Sequence, residues 1–205
     1  MKKEEQMIIK RFIGGNLESN GYVLYIRDGG TCYVVDPGYN PERFIGFVQE
    51  HQLKPAGILL THHHYDHVGG VDKIRSFFDC PLYLHRGDVD LYRKPVDVVL
   101  EGGEELDLDG EVIKVIHTPG HTSGGVCYYS EKSKAAFTGD TIFNVDLGRT
   151  DLEGGSLSQL RETVIHILDK WSNDITIHPG HGDPCNMKYV RTHNEEFLYL
   201  LNHRV

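Results

Sequence analysis

Four times in this 205-residue chain a short apolar run ends in a turn that carries histidine or aspartate. The fullest case is Ala56–Thr61 (AGILLT), which runs straight into His62-His63-His64-Tyr65-Asp66-His67. The others are Thr118-Pro119-Gly120-His121, Thr138-Gly139-Asp140 and His178-Pro179-Gly180-His181. Apolar runs this short, bounded by turn residues, read as buried strands. Open α/β folds place ligand sites where such strands feed their loops. Glycine lets each turn bend sharply while presenting a side chain. At the frayed end of a strand, residues i and i+2 share a side, so His62 and His64 point together and His63 points away. Asp66 and His67, in the turn into the next helix, can converge on the same place. Imidazole and carboxylate suit zinc, and also iron or manganese. Five histidines and two aspartates are enough donors for two ions.

The rest of the chain alternates in kind. Met7–Ile13, Gly21–Arg27, Thr31–Val35, Pro81–His85, Val112–His117 and Ile175–His178 read as strands, and Val126–Tyr129 with Ala135–Thr138 as a hairpin. Asn40-Pro41 reads as N-cap and first residue of a helix reaching about Gln52. A second helix is expected near Val68–Phe78. A third spans Ser156–Lys170, capped by Ser156 or Ser158, and a closing helix spans Met187–Leu201. Alternation of this kind predicts sheets with helices packed outside, an α/β layered domain.

Composition removes several functions. Lys and Arg number 21 against 30 Asp and Glu, a net charge of −9, which argues against a duplex nucleic acid partner. No apolar run reaches the ~20 residues needed to span a bilayer, so no membrane partner is expected. The start, MKKEEQMIIKRF, lacks the apolar stretch of an export signal. Cys32, Cys80, Cys127 and Cys185 form no C-x-x-C pair and read as reduced thiols of a cytoplasmic protein.

The T-H-x-H-x-D-H loop, followed in order by P-G-H-T, G-D and P-G-H-G, resembles the metallo-β-lactamase superfamily from Asp36-Pro37-Gly38 through His181. The resemblance implies a four-layer αβ/βα sandwich, as one domain over residues 1–205, with a dinuclear site at one edge. It implies one metal on His62, His64 and His121, a second on Asp66, His67 and His181, and Asp140 bridging. Asp36 would orient the histidine loop from behind. His63 fits no ligand role. His117 and His178, just before two of the turns, are candidates for supporting contacts. His51, His85, His166, His193 and His203 read as surface or packing residues. Zinc is the expected metal, with iron and manganese as alternatives. Two such ions ~3.5–4 Å apart deprotonate a bridging water near neutral pH. The hydroxide then attacks a carbonyl or phosphoryl centre, with Asp66 orienting it or moving protons.

Within the superfamily, Gly139–Phe143 leading into Gly148-Arg149-Thr150-Asp151 resembles the type II glyoxalases, which hydrolyse S-D-lactoylglutathione to D-lactate and glutathione. That group holds a glutathione carboxylate with a basic residue nine positions past the bridging aspartate. Arg149 stands there, and a guanidinium suits bidentate binding of a carboxylate. A thiol with pKa near ~8.5 leaves without a strong general acid, so a thioester suits the site. Three features depart from the group. Asp151 replaces an aromatic, Gly180-His181-Gly182-Asp183 replaces G-H-E-Y, and the chain ends soon after His181, where typical members carry a C-terminal helical domain. The chain looks more like the compact, single-domain members. The expected substrate is a small-molecule thioester, with the thiol and the oligomeric state left open. Persulfide dioxygenases are the rival resemblance. They share the histidine loop but bind one iron through the equivalents of His62, His121 and Asp140. Typical β-lactamases of the superfamily carry a metal-binding Cys where Asp140 stands, which argues against an antibiotic substrate.

Overall fold

A computed structural model describes residues 6–203. The first five residues, part of the stretch read above for an export signal, lie outside it. Two six-stranded mixed sheets face each other, with helices on both outer faces. The first sheet holds β1 (Ile8–Gly14), β2 (Ser19–Tyr25), β3 (Thr31–Val35), β4 (Lys54–Leu59), β5 (Leu82–His85) and β6 (Val98–Leu100) in chain order. The second holds β7 (Glu105–Leu108), β8 (Glu111–His117), β9 (Val126–Ser130), β10 (Ala135–Gly139), β11 (Thr176–Pro179) and β12 (Cys185–Asn186), also in chain order. Helices α1 (Pro41–Glu50) and α3 (Val71–Phe78) cover the first sheet. Helices α5 (Leu157–His166), α6 (Met187–His193) and α7 (Glu195–Asn202) cover the second. The expected αβ/βα sandwich is what forms.

Strand alternation explains the layering. Successive strand residues face opposite sides, so a strand buried on both faces is apolar throughout. On β2, Val23 and Tyr25 face α1 and α3, while Tyr22 and Leu24 face the other sheet. On β9, Val126 and Tyr128 face inward, while Cys127 faces α5. Three apolar clusters result, one for each interface between the four layers. Phe44 of α1, 2% exposed, is fixed in the first of them; its truncation to Ala should cost roughly 3–5 kcal/mol. The four cysteines are free, three of them buried in these clusters.

Several boundaries differ from expectation. Asn40 stands at the N-cap of α1, but it is left-handed and its side chain caps nothing; Pro41 follows as first residue. Gly69 and Gly70 divide α2 (Tyr65–Val68) from α3, so the second helix is two. Ser156, not Ser158, caps α5 by accepting from the Gln159 amide, and the helix gives way to a 3-10 turn at Leu168–Lys170. The closing helix is also two, because buried Asn194 leaves the helical path. Its side-chain oxygen caps α7, and its amide donates to the Phe143 and Asp146 carbonyls behind Asp140. A short helix, α4 (Arg86–Tyr92), and the strands β6 and β7 carry too few periodic residues to be foreseen.

Topology brings the four turns together. β3 and β4 are parallel, as are β10 and β11, and β8 runs the same way as β10. Their C-terminal ends therefore meet at one edge of the sandwich. Hydrogen bonds sew the sheets together there, from the Val126 amide to the Thr61 carbonyl and from the Asn20 amide to the Gly180 carbonyl.

Candidate metal centre

All seven donor residues expected from the sequence converge at this edge. His62, His64 and His121 form one cluster, and Asp66, His67 and His181 another, with donor atoms within 4.8 Å of one another in each. Asp140 stands between them. Its Oδ2 lies 4.0 Å from His62 Nε2, 3.6 Å from His121 Nε2 and 3.4 Å from His181 Nε2, and its Oδ1 lies 3.4 Å from His67 Nε2. The His64 Nδ1 to His121 Nε2 distance is 2.9 Å, and both His67 Nε2 and His181 Nε2 lie 3.2 Å from Asp66 Oδ2. Four ligands at ~2.1 Å around a tetrahedral zinc stand about 3.4 Å apart. These spacings scatter around that value, so the residues fit a pair of divalent cations.

Tautomers support the same fit. Three of the histidines give their outer nitrogen to an oxygen, which turns the inner nitrogen toward the centre. His62 Nδ1 donates to Thr61 Oγ1 at 2.9 Å, and that hydroxyl donates to Asp36 Oδ2 at 2.6 Å. His121 Nδ1 donates to the Arg149 carbonyl at 2.8 Å, and His181 Nδ1 to the Leu17 carbonyl at 2.9 Å. The inner atoms His62 Nε2 and Asp140 Oδ1 are buried without a hydrogen-bond partner. A buried polar atom left unpaired is costly, and a bound cation removes that cost.

The two clusters differ in charge. Burial, with crowding by neighbouring imidazoles, holds His62 well below its ordinary pKa and His64 down at about 4. Burial also lowers His121, with only partial relief from Asp140 and the Arg149 carbonyl. His67 and His181 go the other way. Burial would lower them, but Asp140, Asp66 and Asp36 raise His67, and Asp140 with Asp66 raises His181 to about 10. Burial would raise the Asp66 carboxyl, yet contacts from His181, His67 and Ser19 hold it below the carboxylate range. Asp140 is likewise held low by His67, His181 and His121.

Local backbone makes these approaches possible. Asp36 takes a left-handed φ of 46° as it leaves β3, and its Oδ1 accepts from the Thr61 amide at 2.8 Å. Its Oδ2 also lies 3.6 Å from His67 Nδ1, so Asp36 faces both clusters from behind. At position 180 only glycine fits, because a Cβ there would strike Asp140 Oδ1 and the His67 ring.

The remaining histidines stand apart. His63 turns away onto Asp88. Among the described residues neither His117 nor His178 contacts a donor, but His117 Nε2 bonds the Ser123 carbonyl at 2.9 Å, two residues past His121, and stacks on His85, while His178 stacks on Phe137. His51 pairs with Asp28 and His166 with Glu162, while His193 and His203 stack on Tyr189 and Tyr199. His85 is buried and caps α4 through its ring. Arg149 serves by its carbonyl, beneath His121, while its exposed guanidinium grips Asp151 through bonds of 2.7 and 2.8 Å. Residues sequence reasoning missed are Thr61, Ser19 and Asp88, which hold ligands or their loops. Ser19 Oγ, at the start of β2, donates to Asp66 Oδ2 at 2.8 Å on α2, past β4 of the same sheet, a contact no local motif announces. Beside the centre opens a cavity of about 910 Å³, walled by Leu17, Tyr65, Phe143, Leu147, Asp146 and Glu196.

Residues 16–170 match the metallo-beta-lactamase superfamily. A probable metallo-hydrolase of Bacillus subtilis, YqgX, is 31% identical over 84% of this chain and 89% of its own length. A hydroxyacylglutathione hydrolase of Francisella philomiragia is 34% identical over 96% of this chain and 77% of its own. Among solved structures, BLEG-1 B3 metallo-beta-lactamase is 32% identical with a TM-score of 0.86, covering 93% of this chain and 99% of its own. TTHA1623 in a di-iron-bound form is 31% identical with a TM-score of 0.81, covering 90% and 98%. Sequence match, layered fold and a donor set at the shared sheet edge agree: the chain belongs to the metallo-beta-lactamase superfamily.

Proposed function

We propose that this metal-dependent hydrolase cleaves a small-molecule thioester, such as S-D-lactoylglutathione, into a carboxylic acid and a thiol. The observation that carries this reading is the open cavity lined by His64, Asp66, His121, Asp140 and His181, where neighbouring imidazoles hold the Asp66 and Asp140 carboxyls low. Asp66 and Asp140 therefore have no proton to hand to a poor leaving group. A thiolate departs unaided. Zinc, iron or manganese bound by the two clusters would acidify water and polarise the acyl oxygen. Asp66 Oδ2 is occupied by Ser19, His67 and His181, which leaves Oδ1 to accept a hydrogen bond from the attacking water. Water adds to the acyl carbon, the C–S bond breaks, and the thiolate takes up a proton from solvent.

The cavity also suggests where the thiol half lies. Leu147, Arg149 and Glu196 line both this cavity and a groove of about 660 Å³ along α5 and α7. Arg161 lines that groove, makes no hydrogen bond or ion pair among the described residues, and has a buried Nε. Arg149 is already engaged by Asp151. A carboxylate on the thiol half would reach Arg161 without displacing an internal partner.

The test is thiol release from S-D-lactoylglutathione and from a non-glutathione thioester, without oxygen, beside elemental analysis. Two ions per chain and thiol release are expected. Arg161→Ala should raise KM about tenfold for a thiol bearing a carboxylate, and little for one without. One iron per chain, with oxygen uptake on glutathione persulfide and no thiol release, would make the protein a dioxygenase. The likeness to BLEG-1 gives β-lactam opening as a second reading. β-Lactam turnover faster than thioester turnover would establish it.

A further inference from the structure

We propose that Asp88 is the positioning residue for the His62/His64/His121 half of the centre, tying together the two loops that carry those ligands. Asp88 lies on α4 and is fully buried. One carboxylate serves both loops. Its Oδ2 accepts from the His63 amide at 3.0 Å, from His63 Nδ1 at 2.9 Å and from Thr122 Oγ1 at 2.9 Å. Its Oδ1 accepts from the Gly124 amide at 2.6 Å. His63 stands between His62 and His64, and Thr122 follows His121. Each bond therefore falls within three residues of a ligand, on one loop or the other.

A second tie runs beside the first, where Ser123 Oγ donates to the Gly87 carbonyl at 2.7 Å. A Cβ at position 124 would strike the Asp88 amide and Oδ1, so helix and loop are seated without slack. Burial would raise the Asp88 carboxyl, but His63, Thr122 and the Gly124 amide outweigh it and keep it ionised. An ionised acceptor with four donors makes stronger bonds than a neutral amide could, since an amide offers one acceptor atom and two donors. The facing nitrogens of His64 and His121, 2.9 Å apart, are thus set by an anchor that touches neither. The other half does not use it. Asp66 and His181 hang on Ser19 and the Leu17 carbonyl, and Asp36 faces His67.

This assignment accounts for His63 and for α4. The inference rests on the dinuclear reading only in expecting two ions. Zinc affinity measured by equilibrium dialysis against a chelator tests it, with the visible spectrum of the cobalt-loaded protein as a second readout. Asp88→Asn should weaken one of the two sites about ten- to hundredfold, the usual effect of losing a ligand's supporting partner, and leave the other unchanged. Half of the cobalt spectrum should fade at limiting metal. Thr122→Val, which removes a single bond to Oδ2, should weaken the same site a few-fold, and Thr122→Ser should restore it. If Asp88→Asn does not fold, the Thr122 pair decides alone. Unchanged zinc affinity in folded variants, or equal loss at both sites, would overturn the assignment. A wild-type protein holding one ion would instead defeat the dinuclear reading, and Asp88→Asn should still weaken that ion.

Discussion

The two halves of the centre hold three donors each under opposite electrostatics. His62, His64 and His121 sit together without a carboxylate inside their own triad, and burial keeps their rings neutral. Asp66, His67 and His181 form a triad held together by charge, with Asp140 and Asp36 beside them. The first triad is fixed by geometry imposed from outside, through Thr61, Asp88 and the Arg149 carbonyl. The second is fixed in large part by attraction among its own members. Equal ligand counts thus conceal different dependence on the surrounding fold: the first half needs its supports, and the second needs its charges.

Removing a ligand from the first half should have the largest effect. His62→Ala should cut thioester turnover at least about a hundredfold, the scale for losing one electrostatic group at a reacting centre. The metal-free variant should still unfold cooperatively near the wild-type temperature, because His62 belongs to none of the three apolar clusters. A chain that fails to fold would show that the centre is a structural staple.

Ser19→Ala tests the second half more gently. It removes the one hydroxyl on Asp66 and leaves both imidazole contacts. Metal affinity should fall up to about tenfold in that half alone. A loss as large as that of Asp88→Asn would erase the contrast between the halves.

The smallest effect belongs to β11, the strand that delivers His181. His178 lies on it, sandwiched by Phe137 and Tyr22, and burial lowers its pKa to about 4. A group whose folded pKa lies below its unfolded value stabilises the protein above the unfolded value, near 6.5. That contribution is lost as pH falls toward 4. With the ring partly exposed, it amounts to on the order of 2 kcal/mol. Acid unfolding of the metal-free protein should therefore be shallower between these values in His178→Phe. An unchanged acid midpoint would mean that the second half's own histidines govern acid lability.

Local pattern made some of this legible and not the rest. The T-H-x-H-x-D-H loop and the three glycine turns named every donor, because strand ends and glycine impose their geometry within a few residues. Boundaries failed where a residue answers to distant partners. Asn194 breaks the closing helix to hold the Phe143 and Asp146 carbonyls, some fifty positions away in sequence. The first residues of α4 serve as the seat for the His121 loop. The resemblance to type II glyoxalases implied a carboxylate-binding role for Arg149; what it did not imply is the exposed pair that its side chain makes with Asp151 two residues on.

The sequence by itself determined an α/β layering and the donor residues, from alternation and turn chemistry within short windows, while its motif order carried the resemblance that implied the superfamily and its four-layer sandwich. Only the tertiary structure decided which nitrogen of each histidine faces inward, which triad carries charge, and that Ser19 holds Asp66 while Asp88 holds the two histidine-bearing loops. Those properties depend on burial and on hydrogen bonds between residues tens of positions apart, which no window of sequence contains.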